Sequence, residues 1–223
     1  SNIPKLAEYD RINIGFEKIN LKKVEKILDL GSGSGQALYV LKKLNYSGNY
    51  LGIDNDNDLI NKSKYFYKKN NYQNFEFRNV KIENFNSKYK FDLILIWGVI
   101  SFFENYEYLI DKVDRYLKKN GTISLFSGFS ENEYNVYVKY KKKNEKKQDG
   151  LNMHSLKEIK SYFKKKGYKI STEKFMPSAY LKKTKNPLTS FTLYDKNRNK
   201  VIANSLNIIR KFYFIKAKKN WIN

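Results

Sequence analysis

A glycine-rich segment, Gly31-Ser-Gly-Ser-Gly35, follows a short run of β-favouring residues that contains Asp29. Glycine lets a ligand approach the backbone closely, and the first turn of a helix offers unpaired N–H groups, so such a segment can hold a nucleotide-like ligand. Dinucleotide-binding folds use the spacing Gly-x-Gly-x-x-Gly. Here the glycines are closer together, and Gln36 stands where the third glycine would be. The spacing therefore disfavours NAD.

A second candidate, Asp54, ends the next β-favouring run, 23 residues after Gly31. In nucleotide-binding α/β folds a carboxylate at this point accepts hydrogen bonds from the ribose hydroxyls. The alternative is that Asp54, Asp56 and Asp58 form a solvated turn. Because Asp54 follows the glycine segment at this spacing, we favour the binding interpretation.

The elements that must position these residues alternate between strand and helix patterns. Strands are predicted at Val24–Leu30, Tyr50–Ile53, Phe75–Ile82, Phe91–Trp97 and Thr122–Phe126, and helices at 5–26, Gln36–Leu44, Leu59–Asn70 and Tyr106–Lys118. This alternation predicts a parallel sheet with right-handed crossovers, in which ligands bind at the carboxyl ends of the strands.

The pattern is looser beyond Gly128. It predicts an amphipathic stretch over Tyr134–Lys147, a helix from a Ser155/Glu158 capping box to Lys166, strands at Tyr168–Phe175 and Phe212–Ala217, and a hairpin of Phe191–Tyr194 with Val201–Ala203. We expect an α/β fold that is Rossmann-like and doubly wound. Its seven-stranded sheet should be mostly parallel, with a terminal antiparallel strand and a C-terminal decoration over the substrate side. One domain, 1–223, would comprise a lead-in (1–26), a cofactor-binding core (27–130) and a basic part (131–223).

Four segments in this order resemble the class I S-adenosylmethionine-dependent methyltransferase family: Ile27–Gly35, Leu51–Asp54, Phe91–Leu95 and Lys119–Gly121. The resemblance covers roughly residues 20–130 and rests on their joint occurrence. It implies an enzyme that transfers a methyl group, with S-adenosylmethionine as cofactor. Residues 27–60 contain four acidic and two basic side chains, which suits a cofactor carrying a sulfonium and an ammonium.

The resemblance also implies roles for individual residues. Gly31, Ser32 and Gly33 would lie against the methionine part of the cofactor, and Asp29 would support this loop and the cofactor's amino group. Asp54 would bind the ribose and Asn55 would flank the adenine. The backbone at Trp97 and Gly98 would face the sulfonium end.

One position departs from the family pattern. Many members have an Asp after the third strand that accepts from the adenine amino group, and Lys81 stands there in this chain. Lysine has no acceptor. The adenine would therefore be held by the backbone of Lys81 or Ile82, or by Asn79.

Methyl transfer is an in-line displacement that depends mainly on alignment, and a hydroxyl acceptor usually also needs a base. His154 is the only histidine and our candidate base, although a loop residue beside a helix start is the favoured interpretation. Glu104, Tyr134 and Tyr140 are open alternatives. The acceptor pocket could be walled by Trp97, Phe102, Phe103, Phe129 and Tyr134, but a core role is favoured for Phe102 and Phe103.

The net charge of +22 is unevenly distributed. Residues 1–133 contain 20 basic and 17 acidic side chains, and residues 134–223 contain 24 and 5. Compositional drift is one explanation. The other is an anionic acceptor, such as a sugar, a nucleotide-linked intermediate or a lipid precursor, bound beside the basic part.

Two other functions stay open, an RNA or DNA methyltransferase and a cofactor-binding homologue without catalysis. Basicity supports nucleic acid. However, Ile96–Val99 lacks the Asn/Asp-Pro-Pro-aromatic loop of base-amine methylators, and the absence of cysteine excludes a thiol nucleophile.

Composition excludes several further classes. Zero Cys and one His exclude disulfides and multi-histidine metal sites, so no metal is expected. Ser1 to Pro4 begin no signal-peptide pattern, and the longest apolar run, Phe91 to Phe103, is too short to span a bilayer. We expect a cytoplasmic protein.

Overall fold

The computed structural model describes residues 2–219 except 142, 144, 145 and 147. The helices are α1 (Leu6–Phe16), α2 (Gln36–Lys43), α3 (Asn57–Lys69), α4 (Tyr106–Asp114) and α5 (Leu156–Lys165). The strands are β1 (Lys26–Leu30), β2 (Asn49–Asp54), β3 (Phe75–Asn79), β4 (Phe91–Trp97), β5 (Leu117–Phe129), β6 (Val136–Tyr140), β7 (Asp149–Met153), β8 (Tyr168–Phe175), β9 (Phe191–Tyr194), β10 (Lys200–Ala203) and β11 (Lys211–Lys219). None of the helices in these described residues is long and apolar enough to cross a membrane.

Seven strands form one sheet in the order β3-β2-β1-β4-β5-β11-β8. The first five are parallel, and β11 runs antiparallel between β5 and β8. The predicted fold class is confirmed. The order reverses between β1 and β4, so the loops after these strands diverge and leave a crevice at the carboxyl edge.

The core lies on both faces of the sheet, as expected for a strand such as β4 that is apolar throughout. On one face α1, α2 and α3 bury Ile12, Leu38 and Ile60. On the other, α4 and α5 bury Ile110 and Phe163. The helices therefore hold the sheet rigidly from both sides.

The end of α4 differs from the prediction of a helix to Lys118. The helix ends at Asp114, and Leu117, 5% exposed, begins β5 by pairing with Phe91. The Phe91 N–H donates to the Tyr116 carbonyl at 2.8 Å. Pairing with a buried neighbouring strand therefore overrides the local helical pattern.

Two short antiparallel pairs decorate the C-terminal part. The hairpin of β9 and β10 is confirmed. β6 pairs with β7, whereas the sequence predicted only an amphipathic stretch over Tyr134–Lys147, four of whose residues lie outside the described part of the chain. Exposure alternates along Val136–Tyr140 with the period of two that is typical of a strand. The same alternation in the sequence predicts a strand better than an amphipathic helix.

The predicted cap of α5 is half right. The Ser155 hydroxyl accepts from the Glu158 N–H, as in a capping box. However, the Ser155 N–H donates to Asn135 Oδ1 at 2.8 Å, and the Glu158 carboxylate accepts from the Asn135 amide. Asn135 therefore takes the place of the expected reciprocal bond and ties α5 to the chain before β6.

Candidate functional site

The glycine segment forms a tight turn between β1 and α2. Gly31, Gly33 and Gly35 have φ of 72°, 51° and 76°, a region in which side chains with a Cβ are strained. The N–H groups of Gly31 and Ser32 both donate to the Ile53 carbonyl at 2.9 Å. A Cβ at Gly31 would collide with Val99 Cγ2. The turn is thus fixed against β2 and against the loop after β4.

Asp54, at the carboxyl end of β2, is oriented by two backbone donors. Its Oδ2 accepts from the Gly33 N–H at 2.8 Å, and its Oδ1 accepts from the Asp56 N–H at 2.9 Å. Each carboxylate oxygen keeps a further lone pair. The side chain can therefore accept two more hydrogen bonds from a ligand in the adjoining cavity.

That cavity, of about 430 Å³, opens at the carboxyl ends of β1, β2 and β4. Seven of the ten predicted cofactor residues line it, namely Gly31, Asp54, Asn55, Lys81, Ile82, Trp97 and Gly98. Its wall also contains Glu83, Val99, Phe102 and Phe103. Of these, Glu83 and Val99 were not predicted, because they sit beside the motifs rather than within them. We call this the cofactor cavity.

The three remaining predicted residues do not line the cavity. Gly33 holds Asp54 as described, and the Ser32 hydroxyl is buried without a hydrogen-bond partner among the described residues. Asp29 is 4% exposed and accepts a hydrogen bond from the Tyr50 hydroxyl. Burial raises the pKa of Asp29 to about 7.

The segment after β3 distinguishes between the groups that could hold the adenine, namely the backbone of Lys81 or Ile82 and the side chain of Asn79. The Asn79 side-chain amide donates to the Asp54 carbonyl at 3.1 Å, and Asn79 is absent from the cavity wall. Lys81 and Ile82 do line the cavity. The backbone of these two residues is therefore better placed than Asn79 to contact an adenine in this cavity.

A second cavity, of about 360 Å³, shares the wall residues Gly98 and Phe102 with the cofactor cavity, and we call these two residues the junction of the cavities. Its wall is largely apolar and includes Phe126, Phe175, Leu181, Leu188 and Phe212. Two arginines, Arg11 of α1 and Arg210 before β11, also face it. We call this the acceptor cavity, for the role that we propose for it. Sequence reasoning missed both arginines because they lie 199 residues apart and in no motif.

The residues predicted to line the acceptor pocket lie in different environments in the structure. Phe102 is 70% exposed and lines both cavities, so the core role favoured for it is wrong. Phe129 is 2% exposed and packs in the core under α5, away from both cavities. Tyr134 is exposed, and its hydroxyl accepts from the Asn132 amide, again outside both walls. Trp97 turns its ring toward Phe16 and Phe214.

His154 is buried and lines neither cavity. Its Nε2 lies 2.8 Å from the Phe103 carbonyl, which can only accept, so Nε2 carries the proton. Burial lowers its pKa, which keeps the ring neutral. The alternatives Glu104 and Tyr140 are bound to Lys139 and Asp149. The structure thus places His154 where it positions Phe103, a residue of the cofactor cavity.

We expect His154→Ala to destabilise the fold by about 1–3 kcal/mol, because it removes a buried ring and leaves the part-buried Phe103 carbonyl without its donor. His154→Gln, which can still donate, should recover part of that loss. Because the folded state disfavours the protonated ring, wild type should also lose stability relative to His154→Gln as pH falls below about 6.5. Thermal unfolding from pH 8 to 5.5 measures both effects, and parallel curves would contradict this role.

Comparison with known proteins gives consistent results. The family model described as "Methyltransferase domain" matches residues 21–186. A protein of Invertebrate iridescent virus 6 that bears the name methyltransferase 235L is 22% identical over 119 residues, which are 53% of this chain and 43% of that protein. The chain therefore spans less than half the length of this relative.

Solved structures share the fold. A protein from Listeria monocytogenes described as an S-adenosylmethionine-dependent methyltransferase superposes with a TM-score of 0.68 at 14% identity, covering 96% of this chain and 99% of that one. Magnesium protoporphyrin IX methyltransferase from Synechocystis PCC 6803, solved with bound S-adenosylmethionine, gives 0.59 at 11% identity, covering 95% and 77%.

Proposed function

Because this chain belongs to the class I S-adenosylmethionine-dependent methyltransferase family, we propose that it transfers the cofactor's methyl group to a small anionic acceptor. When bound, the cofactor would supply an electrophilic methyl group: an acceptor atom would form its bond to the methyl carbon as the carbon–sulfur bond breaks, releasing S-adenosylhomocysteine and, from an O–H or N–H acceptor, a proton to solvent. The chain's own contribution is to align the two molecules and to exclude water.

The observation that carries this proposal is the junction of the two cavities at Gly98 and Phe102. A cofactor with its ribose on Asp54 and its adenine against Lys81 and Ile82 would direct its sulfonium end to Gly98. An acceptor in the second cavity then reaches the methyl group at this junction. Phe102 would cover the junction from the solvent side.

The character of the second cavity supports an acceptor with a large apolar part. Its phenylalanine and leucine wall suits a hydrophobic ring or chain better than a sugar or a nucleotide-linked intermediate. Arg11 and Arg210 outnumber the carboxylate of Glu8 in this wall, so the charged side chains leave a net positive charge for an anionic group. Six lysines, among them Lys18, Lys119, Lys169 and Lys218, line a different cavity at the opposite edge of the sheet.

Calorimetry with S-adenosylhomocysteine tests the proposal first, and transfer of a labelled methyl group to a panel of apolar carboxylic acids tests it second. We expect cofactor binding, and methylation of members of the panel in preference to sugars and short RNA. Failure to bind S-adenosylhomocysteine would refute the proposal. Preferential methylation of RNA would replace the acceptor class while keeping the reaction.

Cofactor binding should depend on pH through Asp29. Its pKa of about 7 leaves it partly protonated at neutral pH. Asp29 does not line the cofactor cavity, but with the role that the resemblance implies for it, the ammonium of a bound cofactor would favour its ionised form through the wall. Affinity for S-adenosylhomocysteine should therefore fall as pH drops below about 7, by up to roughly tenfold per pH unit, and level off above it. Calorimetry at pH 8, 7 and 6 measures this, with Asp29→Asn as the control whose affinity stays flat. Equal wild-type affinity at pH 6 and 8 would exclude the coupling.

A further inference from the structure

Arg210 carries a positive charge that the described part of the protein does not compensate. Its Nη1 donates to the Ser190 hydroxyl at 3.2 Å, and its Nε is buried without a hydrogen-bond partner in that part of the chain. No described carboxylate forms an ion pair with it. Burying a guanidinium in this way is costly unless an anion accompanies it.

The backbone is arranged to keep the guanidinium in this place. The Arg210 N–H donates to the Ile202 carbonyl at 2.7 Å, which ties the residue to β10. Its Cζ lies 4.7 Å from the centre of the Phe212 ring. A Cβ at Gly128 would stand 3.2 Å from Nη2 and 3.3 Å from Nε, so the glycine lets the group lie close against the end of β5.

Arg11, the other arginine of the acceptor cavity, is in a different electrostatic situation. Burial lowers the pKa of Arg11, and the carboxylates of Glu8 and Asp29 oppose this shift. For Arg210, burial is the only cause of its lowered pKa, which is about 10 and leaves it charged at neutral pH. Arg210 is therefore the cation in this cavity whose charge is not balanced by a described carboxylate.

The surroundings of Arg210 indicate what the anion is attached to. Phe126 and Phe212 stack with an interplanar angle of 9° and a centroid distance of 5.4 Å, and both line the cavity. Thr189 and Ser190 line it near the arginine and can donate hydroxyl hydrogen bonds. A volume of about 360 Å³ is at the small-molecule end of the range for ligand sites.

We propose that Arg210, with the hydroxyls of Thr189 and Ser190, binds the carboxylate or phosphate of the methyl acceptor, whose apolar body lies against Phe126 and Phe212. This inference rests on the proposed function and deepens it. It makes Arg210 a specificity-determining residue that anchors the acceptor, while the reacting atom lies at the other end of the acceptor, toward Gly98.

The test uses the full chain saturated with S-adenosylhomocysteine, so that cofactor binding is measured first and independently. The probes are phenylacetate, phenyl phosphate and the neutral phenylacetamide, whose binding is followed by calorimetry and by ligand-observed NMR. We expect one anion to bind at least tenfold more tightly than the amide, and the better of the two identifies the head group. Equal binding of anions and amide, or no binding of any probe, overturns this proposal but leaves the cofactor result standing.

Two variants test whether the preference for the anion over the amide depends on Arg210. Arg210→Gln should reduce anion affinity at least tenfold, leave the amide unchanged, and leave S-adenosylhomocysteine affinity unchanged. Arg198→Gln, at an exposed turn between β9 and β10, removes the same charge as a matched control and should behave as wild type. Unaltered anion binding in Arg210→Gln refutes the assignment. If that variant does not fold, the anion should still raise the melting temperature of wild type more than the amide does, and equal shifts refute it.

Discussion

Replacing Asp54 with alanine should weaken the binding of S-adenosylhomocysteine by at least about 100-fold. On the proposed function, its two carboxylate oxygens accept from the two ribose hydroxyls, and hydrogen bonds to a charged group contribute roughly 1.5–3 kcal/mol each. The variant also removes the acceptor of the Gly33 and Asp56 N–H groups, which hold the glycine turn in place. Both losses weaken the binding of S-adenosylhomocysteine.

Calorimetry on purified protein measures this effect, with Asp58→Ala as the matched control. Asp58 is an exposed carboxylate in the first turn of α3, four residues from Asp54, so its removal changes the local charge equally without touching the cofactor cavity. The control should bind within about twofold of wild type. An Asp54→Ala protein that binds as tightly as Asp58→Ala would show that the ribose is not held at Asp54.

The second large effect is expected at Gly31. Alanine there must adopt a φ of 72° and place its Cβ against Val99 Cγ2, so either the turn or the loop after β4 has to move. Strain and overpacking together cost about 2–4 kcal/mol. In a chain of this size that lowers the melting temperature by roughly 4–16 °C. Because both segments line the cofactor cavity, S-adenosylhomocysteine binding should fall as well.

Gly33→Ala is the matched control, since it also has a positive φ but nothing lies within 4 Å of its Cβ position. It should lose only about 1 kcal/mol from the backbone conformation. A rescue experiment separates the two causes at Gly31. The double variant Gly31→Ala/Val99→Ala removes the clashing methyl groups and should recover part of both stability and affinity. Additive losses in the double variant would show that the collision with Val99 is not responsible.

Much of the fold was predictable because its evidence is local. A buried parallel strand is apolar throughout, as Leu93–Ile96 are, and a helix packed on a sheet shows apolar residues at helical spacing. The site at the carboxyl ends of β1, β2 and β4 was predictable for the same reason. Its residues directly follow these strands, and topology brings the ends of parallel strands together.

The errors arose where a residue's partner is distant in the chain. His154 was a candidate base by type, but the Phe103 carbonyl, 51 residues away, engages its ring and burial removes it from the cavities. Phe102 and Phe129 have the same side chain, yet the first lines both cavities and the second packs in the core. Nothing in the residue type distinguishes them.

The distribution of charge was likewise predictable along the sequence but not in space. Counting residues located the excess in 134–223, and we expected it on the substrate side. Among the described residues that line the acceptor cavity, however, the cations are Arg11 and Arg210, and the first belongs to the nearly balanced half of the chain. Several lysines of the basic half instead line the opposite edge of the sheet.

The order of strands, the glycine turn and the acidic residue after β2 could thus be inferred from the chain alone, since each depends on neighbours within a few residues or on a general rule of sheet topology. The acceptor cavity could not. Its wall is assembled from α1, the loop after β4, β7, the ends of β5 and β8, the segment 177–190 and the start of β11. Gly128 accommodates Arg210 only because β11 pairs with β5. Burial and pairing between distant segments decide which of the 44 basic side chains lines this cavity, and those quantities exist only in the folded molecule.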